Sequence, residues 1–276
     1  MKLNKFISFQ IRTQMKRWRW LFPILLILFL AYRSYNHLVF VGANTPANAW
    51  DLLFVVFGNH YNIYFGIALL FVYLVSDLLP ESNIGQLVLL RLKSRRQWWL
   101  GKVISLIVLT LIYQLLLLAI LSLIAVIVLP VERGYSQLAQ SSPGLVNLSL
   151  PGRDGDLLGA NGTPLQYLLT NLGLLALGLI CFGLIMMAAV QLGGKYYYGL
   201  LAGLVLVFGS FVSTMLSGPP AWAKWLPGWH LTYITVMPVR TIPLGFSFFY
   251  WLVLFIFFYL LGSRIASHQD YSVVEE

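Results

Sequence analysis

The sequence predicts an all-α integral membrane protein with six membrane-spanning helices and both termini in the cytoplasm. Of its 276 residues, 59% are hydrophobic and only 10% are charged, whereas a soluble domain carries roughly 25% charged residues. Six apolar segments reach the length of about 20 residues that a helix needs to cross a bilayer. Lipid offers no hydrogen-bond partner to open backbone, so each segment is expected to be helical. The segments are Leu21–Val41, Leu53–Val75, Val103–Leu129, Leu165–Val190, Tyr196–Leu216 and Leu244–Gly262.

The distribution of basic residues sets the predicted orientation. With the N-terminus inside, thirteen of the 18 Lys and Arg residues fall on cytoplasmic segments and five on outer ones, the asymmetry typical of multi-pass proteins. The net charge of +9 lies mostly beside apolar segments, where it would meet anionic headgroups. Membrane lipid, rather than nucleic acid, is therefore the expected partner of these charges.

The first predicted element, residues 1–20, is an amphipathic helix lying in the cytoplasmic interface. Apolar residues recur there at spacings of three and four, and most basic residues fall opposite them. The basic face would meet lipid phosphates while tryptophans sit at headgroup depth. A simple positive-inside anchor is the alternative, and a cleaved signal peptide is disfavoured because its basic region would be too long. The interfacial residues are Phe6, Arg12, Lys16 and Trp18.

The transmembrane domain, residues 21–264, contains one long inner loop, 77–102, with its own helical pattern. Pro80 would end the second span, and Ser82 or Asn83 could cap a short new helix. A short helix held at the cytoplasmic surface by two spans can transmit force from a docked protein. The alternative interpretation is a solvated, charged loop.

In this loop, and in the order of its parts, the sequence resembles the permease subunits of the type 2 family of ABC exporters. In that family an acidic residue after the second span leads into a short helix that contains glycine. A Ser-Arg pair, bulky residues and a Gly-Lys pair then open the third span. The sequence departs from the pattern at 91–93, where many members have a turn that contains proline. The matching residues are Glu81, Gly85, Ser94, Arg95, Gly101 and Lys102.

The resemblance implies that the loop is a coupling helix docking in a groove of a cytoplasmic ABC ATPase, with residues 1–20 as the connecting helix beside it. ATP and Mg would be bound by that partner, because this chain has no phosphate-loop motif. A second permease copy or a paralogue would complete the pathway, and a bacterial cytoplasmic membrane is the expected location. The coupling residues would be Glu81, Gly85, Leu87, Arg91, Ser94, Arg95 and Arg96.

The remaining connections differ in character. The outer loop 130–164 is rich in Gly, Pro, Ser and Asn and is predicted to be irregular, while the short turn 191–195 predicts that the fourth and fifth spans are antiparallel neighbours. The outer region 217–243 carries five prolines, which cannot continue a helix. The resemblance implies re-entrant helices there, and ordinary interfacial tryptophans are the alternative; residues 265–276 form a cytoplasmic tail. The tryptophans are Trp222, Trp225 and Trp229.

Several polar side chains fall within the predicted spans. Such groups are costly in a bilayer and usually face a partner or a wet cavity, so they are candidates to line a pathway. Interhelical hydrogen bonding is the alternative. The spacing of potential ligands does not favour a metal site, and the span interiors lack the carboxylates that proton coupling would use. The candidate lining residues are Arg33, Asn59, His60, Asn62, Gln114 and Asn171.

These patterns predict the permease subunit of an ATP-driven exporter for a hydrophobic or amphipathic cargo, such as a lipid-linked molecule, a peptide or an antimicrobial. The alternative is a non-transporting membrane protein that acts in immunity or in the assembly of a complex. A membrane-embedded enzyme would need convergent acid, base or metal groups. The sequence shows no such set, so catalysis is not expected in this chain.

Overall fold

The protein is helical throughout the part that the structure describes. A computed structural model describes residues 3–41, 45–79, 94–140, 163–215, 222, 225–232 and 243–268, and every regular element there is a helix. Five helices are long and apolar enough to cross a membrane, and one sharply bent pair makes a sixth candidate. The predicted class, an all-α multi-pass membrane protein, is therefore confirmed.

Eight α-helices of seven or more residues, numbered α1 to α8, a four-residue helix at Gln137–Gln140 and a few short turns make up the described fold. A π-helical segment, Asn62–Ala68, joins α3 to α4, and 3-10 turns cover Trp18–Trp20 and Pro227–Trp229. The helices are α1 Leu3–Met15, α2 Leu21–Val41, α3 Ala49–Gly58, α4 Leu69–Val75, α5 Arg95–Val128, α6 Pro164–Gly193, α7 Tyr196–Met215 and α8 Leu244–His268.

The bundle has two ends, which are called here the α1 end and the far end. At the α1 end, Arg19 between α1 and α2 hydrogen-bonds to Asp77, just after α4. At the far end, the backbone N–H of Ala49 donates to the carbonyl of Pro130 at 3.0 Å. α6 is the central helix, with 72% of its apolar window buried, whereas only 11% of that of α8 is buried. Outward apolar faces of this kind are expected where helices meet lipid.

The predicted second span, Leu53–Val75, is not one continuous helix. The axis turns by 81° between α3 and the segment Asn62–Val75. Asparagines satisfy the broken backbone: the Asn59 side chain accepts from the N–H of Tyr61 at 3.0 Å, and Asn62 donates to the carbonyl of Val55 at 3.1 Å. A break inside a bilayer needs such partners. A hydropathy profile averages over a window of residues and therefore does not show this break.

The predicted inner loop 77–102 is too long, because α5 already begins at Arg95. The hydroxyl of Ser94 accepts from the N–H of Gln97 at 3.2 Å and caps the helix. The basic residues near its start suggested a loop, but Trp98 and Trp99 are buried there, and their packing favours the helix. With 34 residues and about 1.5 Å per residue, α5 is longer than the hydrocarbon core of a bilayer.

The N-terminal helix is also shorter than predicted. α1 ends at Met15, and Arg17 is extended before the separate turn Trp18–Trp20. Trp18 is 67% exposed and does not belong to the α1 stripe. The buried face of α1 combines Phe6 with two glutamines, Gln10 and Gln14, because this face packs against α5 rather than lipid.

Candidate functional site: the junction of α1, α5 and α8

The α1 junction is the cluster in which α1, the first turns of α5 and the last turns of α8 meet. Phe6 of α1 is fully buried over Gly101 of α5, where an added Cβ would lie 2.6 Å from the Phe6 ring. Gly262 of α8 gives the same close approach to Trp99 of α5. The Trp99 indole N–H donates to the carbonyl of Tyr259 at 3.0 Å. Glycines at these contacts therefore allow α1 and α8 each to pack directly on α5.

Lys102 connects α5 to the turn that follows α4. Its side chain is buried, with 1% exposed, and Nζ donates to the carbonyl of Leu78 at 2.8 Å. The rings of Phe6 and Trp98 lie 6.0 Å from Nζ. Burying an ammonium group is costly unless it is hydrogen-bonded. The bond to Leu78 therefore fixes the start of α5 relative to α4.

Asp77 forms the polar edge of the α1 junction. Its Oδ2 pairs with Arg17 and with Arg19, the latter at 3.2 Å, and Gln14 Nε2 lies 3.5 Å from the Asp77 carbonyl. Partial burial and then the charge of Arg19 lower the pKa of the Arg17 guanidinium, which nevertheless stays charged at neutral pH. These ion pairs are partly exposed and thus individually weak, but they tie the α1–α2 connection to the end of α4.

The predicted coupling residues divide into two groups. Glu81, Gly85, Leu87 and Arg91 lie outside the described residues. Ser94 caps α5, Arg95 Nη1 lies 3.5 Å from the carbonyl of Ser267 in α8, and Arg96 is exposed. Leu78 and Arg95, on either side of the segment 80–93, are therefore both held by the α1 junction.

The predicted interfacial residues occupy different environments. Phe6 belongs to the buried face of α1, while Arg12 and Lys16 are exposed. Trp18 lies beyond α1 and packs on Phe22, with ring centroids 5.1 Å apart. One face of α1 thus holds the helix to the bundle, and its cations remain available at the surface.

Three of the candidate lining residues, all asparagines, bond to backbone at the break between α3 and the π-helical segment. Asn171 of α6 donates to the carbonyl of Phe57 at 2.5 Å, complementing the bonds of Asn59 and Asn62. Phe57 lies in the last turn of α3, where carbonyls lack helical partners. The geometry favours hydrogen bonding as the role of these side chains.

The other candidate lining residues are not gathered into one cluster. Arg33 is exposed on α2. His60 Nε2 and Gln114 Nε2 are buried, and within the part of the chain that the structure describes neither atom has a hydrogen-bond partner. The His60 ring lies 4.1 Å from that of Tyr61 and 6.1 Å from that of Phe211. His60 is therefore part of an aromatic cluster at the break.

Residues 225–232 pack between α7 and α8 at the far end. Tyr64 donates to the carbonyl of Gly228 at 2.9 Å, and Trp251 donates to that of His230 at 2.8 Å. The Trp229 indole donates to the carbonyl of Ser213 at 3.1 Å, whereas the two other tryptophans are mostly exposed. The described part of this region is therefore held against both helices. The exposed pair is Trp222 and Trp225.

Sequence reasoning missed two connections of the α1 junction. The ion pairs of Asp77 join residues that lie 58 to 60 positions apart, and Trp99 contacts α8 across about 160 positions. Spacing within one helix carries no signal of such distant contacts. One signal in the sequence was the presence of glycines that can accept bulky side chains: Gly101 contacts Phe6, and Gly262 contacts Trp99.

The described residues contain no group of three or more His, Cys, Asp and Glu side chains that could hold a metal ion. No family model matches the chain, and no curated protein is similar to it at a significant level. The geometry of the α1 junction is therefore the basis for assigning a function.

Replacing Asn171 with leucine should destabilise the bundle. The substitution keeps the side-chain size but leaves the Phe57 carbonyl without the 2.5 Å bond, a loss of about 1–2 kcal/mol within a membrane bundle. We expect a lower melting temperature in mild detergent, measured by size-exclusion chromatography after heating. Thr170→Leu, on the neighbouring and only partly buried position, is the control. Equal melting temperatures for the two variants would contradict the assigned role.

Proposed function

We propose that the chain is the membrane-spanning subunit of an ATP-driven exporter, with its α1 end in the cytoplasm of a bacterial cell. A cytoplasmic ABC ATPase would bind ATP and Mg and dock at the α1 end. A second copy or a paralogue would complete the pathway, because six spans form half of the usual transport unit. The cargo class is hydrophobic or amphipathic.

The observation that carries this proposal is the construction of the α1 junction. Lys102 bonds to Leu78, and Arg95 approaches α8. The two flanks of the segment 80–93 are therefore connected to α4, α5 and α8 at once. A force applied by a docked ATPase at these flanks would reach all three helices directly.

Rigid connection at this end suits the proposed mechanism. α5 runs without interruption from the α1 junction to Val128 at the far end, so a tilt imposed at Arg95 moves its whole length. The break in the second candidate span, between α3 and Asn62, offers a place where the bundle can bend. ATP-driven closure of the partner subunits would thus change access at the far end through α5, while α3 adjusts at the break.

Charge reversal in the proposed dock should release the ATPase. We expect a phosphate-loop ATPase to co-purify with this chain from its native membrane in mild detergent. The amount of ATPase that co-purifies should fall at least tenfold in the double variant Glu81→Lys with Arg95→Glu, because both changes reverse a charge beside the dock. The partner would be identified and quantified by mass spectrometry.

The matched control is Lys195→Glu, a charge reversal in the exposed turn between α6 and α7, which should retain the ATPase. The elution volume of the double variant checks that it still folds. If the native protein yields no ATPase from membranes in which other complexes survive, the exporter proposal is wrong. That outcome would favour a non-transporting protein of immunity or assembly.

A further inference from the structure

An apolar groove runs along the bundle between α2 and the segment formed by the π-helix and α4. It is shallow and widely open, with a volume of about 520 Å³. Its floor is formed where Gly66 meets α2: an added Cβ would lie 3.3 Å from Leu30. The walls are entirely aliphatic and aromatic, and Leu25 and Phe29 are 61% and 60% exposed. The groove is therefore an apolar depression along the surface of the bundle.

One mouth of this groove is built from aromatic rings and lies at the α1 end. The rings of Trp18, Phe22 and Tyr73 follow one another, with centroid distances of 5.1 and 5.9 Å. The guanidinium of Arg19 lies 4.7 Å from the centre of the Tyr73 ring. Trp18 is 67% exposed, and an exposed tryptophan of this kind suits the depth of lipid headgroups.

The same mouth carries an excess of positive charge. Lys16, Arg17 and Arg19 follow α1 within four residues, and Asp77 is the acidic side chain that pairs with both arginines. Two arginines against one carboxylate leave the mouth positive, and the exposed Lys16 precedes Arg17 in the chain. Basic sites between membrane helices recognise anionic headgroups.

We propose that this groove binds an anionic phospholipid, with one acyl chain between α2 and α4 and the phosphate beside Lys16, Arg17 and Arg19. A lipid complements both halves of the site, since its chain covers the apolar walls and its phosphate balances the cations. A second copy of this chain would cover the walls but would also bring its own cations to the mouth. The proposal does not depend on the exporter function.

The test compares the full-length protein in nanodiscs of phosphatidylglycerol and of phosphatidylcholine, followed by extraction and native mass spectrometry. We expect one phosphatidylglycerol to remain bound, with at least fivefold preference over phosphatidylcholine. Leu25→Trp should fill the groove and remove the bound lipid, whereas Leu115→Trp, on an equally exposed face of α5, should retain it. Lys16→Gln should lower the preference for phosphatidylglycerol while still binding lipid.

Three results would overturn the proposal. The first is equal retention of the two lipids, and the second is equal lipid binding by Leu25→Trp and Leu115→Trp. The third is loss of a dimeric species in Leu25→Trp with the bound lipid unchanged, which would assign the groove to a second copy of the chain. Elution volume and helical circular dichroism verify that each variant is folded.

Discussion

Replacing Gly228 with alanine should strongly destabilise the far end of the bundle. A Cβ at this position would collide with the backbone carbonyl of Ser210 and with the hydroxyl of Ser213, both in α7. A backbone carbonyl in the middle of a helix cannot rotate away as the tip of a side chain can. The turn Pro227–Trp229 would therefore have to move away from α7.

That movement would break hydrogen bonds on both sides of the turn. Tyr64 donates to the Gly228 carbonyl at 2.9 Å, and Trp229 donates to Ser213 at 3.1 Å. Overpacking typically costs about 1–3 kcal/mol, and each lost bond about 1 kcal/mol more. We expect a total loss of about 3–5 kcal/mol, visible as a lower melting temperature in detergent.

The control for Gly228→Ala is Gly209→Ala. Gly209 lies in α7 beside Ser210, yet an added Cβ there would meet nothing within 4 Å. In a helix interior, alanine is favoured over glycine by up to about 1 kcal/mol, so this variant should be as stable as the native protein or slightly more so. Similar melting temperatures for both variants would show that residues 227–229 do not pack against α7 as described.

The sequence was sufficient to predict the helical class and the approximate position of the apolar helices. Hydrophobicity and length suffice for that, because a chain in lipid must satisfy its backbone internally. The short turn at Gly194 was equally visible: α6 ends at Gly193, α7 begins at Tyr196, and Gly194 has φ +77°. The exact helix ends were harder to predict. The start of α5 at Arg95, for example, depends on the burial of Trp98 and Trp99, which the sequence does not show.

The candidate site was less predictable because its contacts join distant parts of the chain. Asn171 and Phe57 are separated by 114 positions, and Trp99 and Tyr259 by 160. A polar residue in an apolar segment indicates that some partner exists, but it does not identify the partner. The three asparagines could therefore be read as pathway lining from sequence, whereas the geometry gives each of them a backbone carbonyl or N–H at the break.

Lys102→Met should produce the largest loss at the α1 junction. Methionine is similar in length to lysine, so its side chain can keep most of the contacts with Phe6 and Trp98. The Leu78 carbonyl, however, would lose a 2.8 Å bond from a buried ammonium group. Hydrogen bonds to charged groups contribute about 1.5–3 kcal/mol. We expect a loss of stability of that size, measured as the melting temperature in mild detergent.

Lys195→Met is the matched control, because Lys195 is exposed and its Nζ lies 6.0 Å from the Tyr197 ring. Surface substitutions of this kind usually change stability by less than about 0.5 kcal/mol. Should Lys102→Met prove as stable as Lys195→Met, the α1 junction would not hold α5 to the turn after α4. The force path of the proposed exporter would then lack its first connection, even if an ATPase still bound. If Lys102→Met is less stable but keeps its ATPase, we expect ATP hydrolysis to continue while transport falls, since Lys102 belongs to the proposed force path and not to the proposed dock.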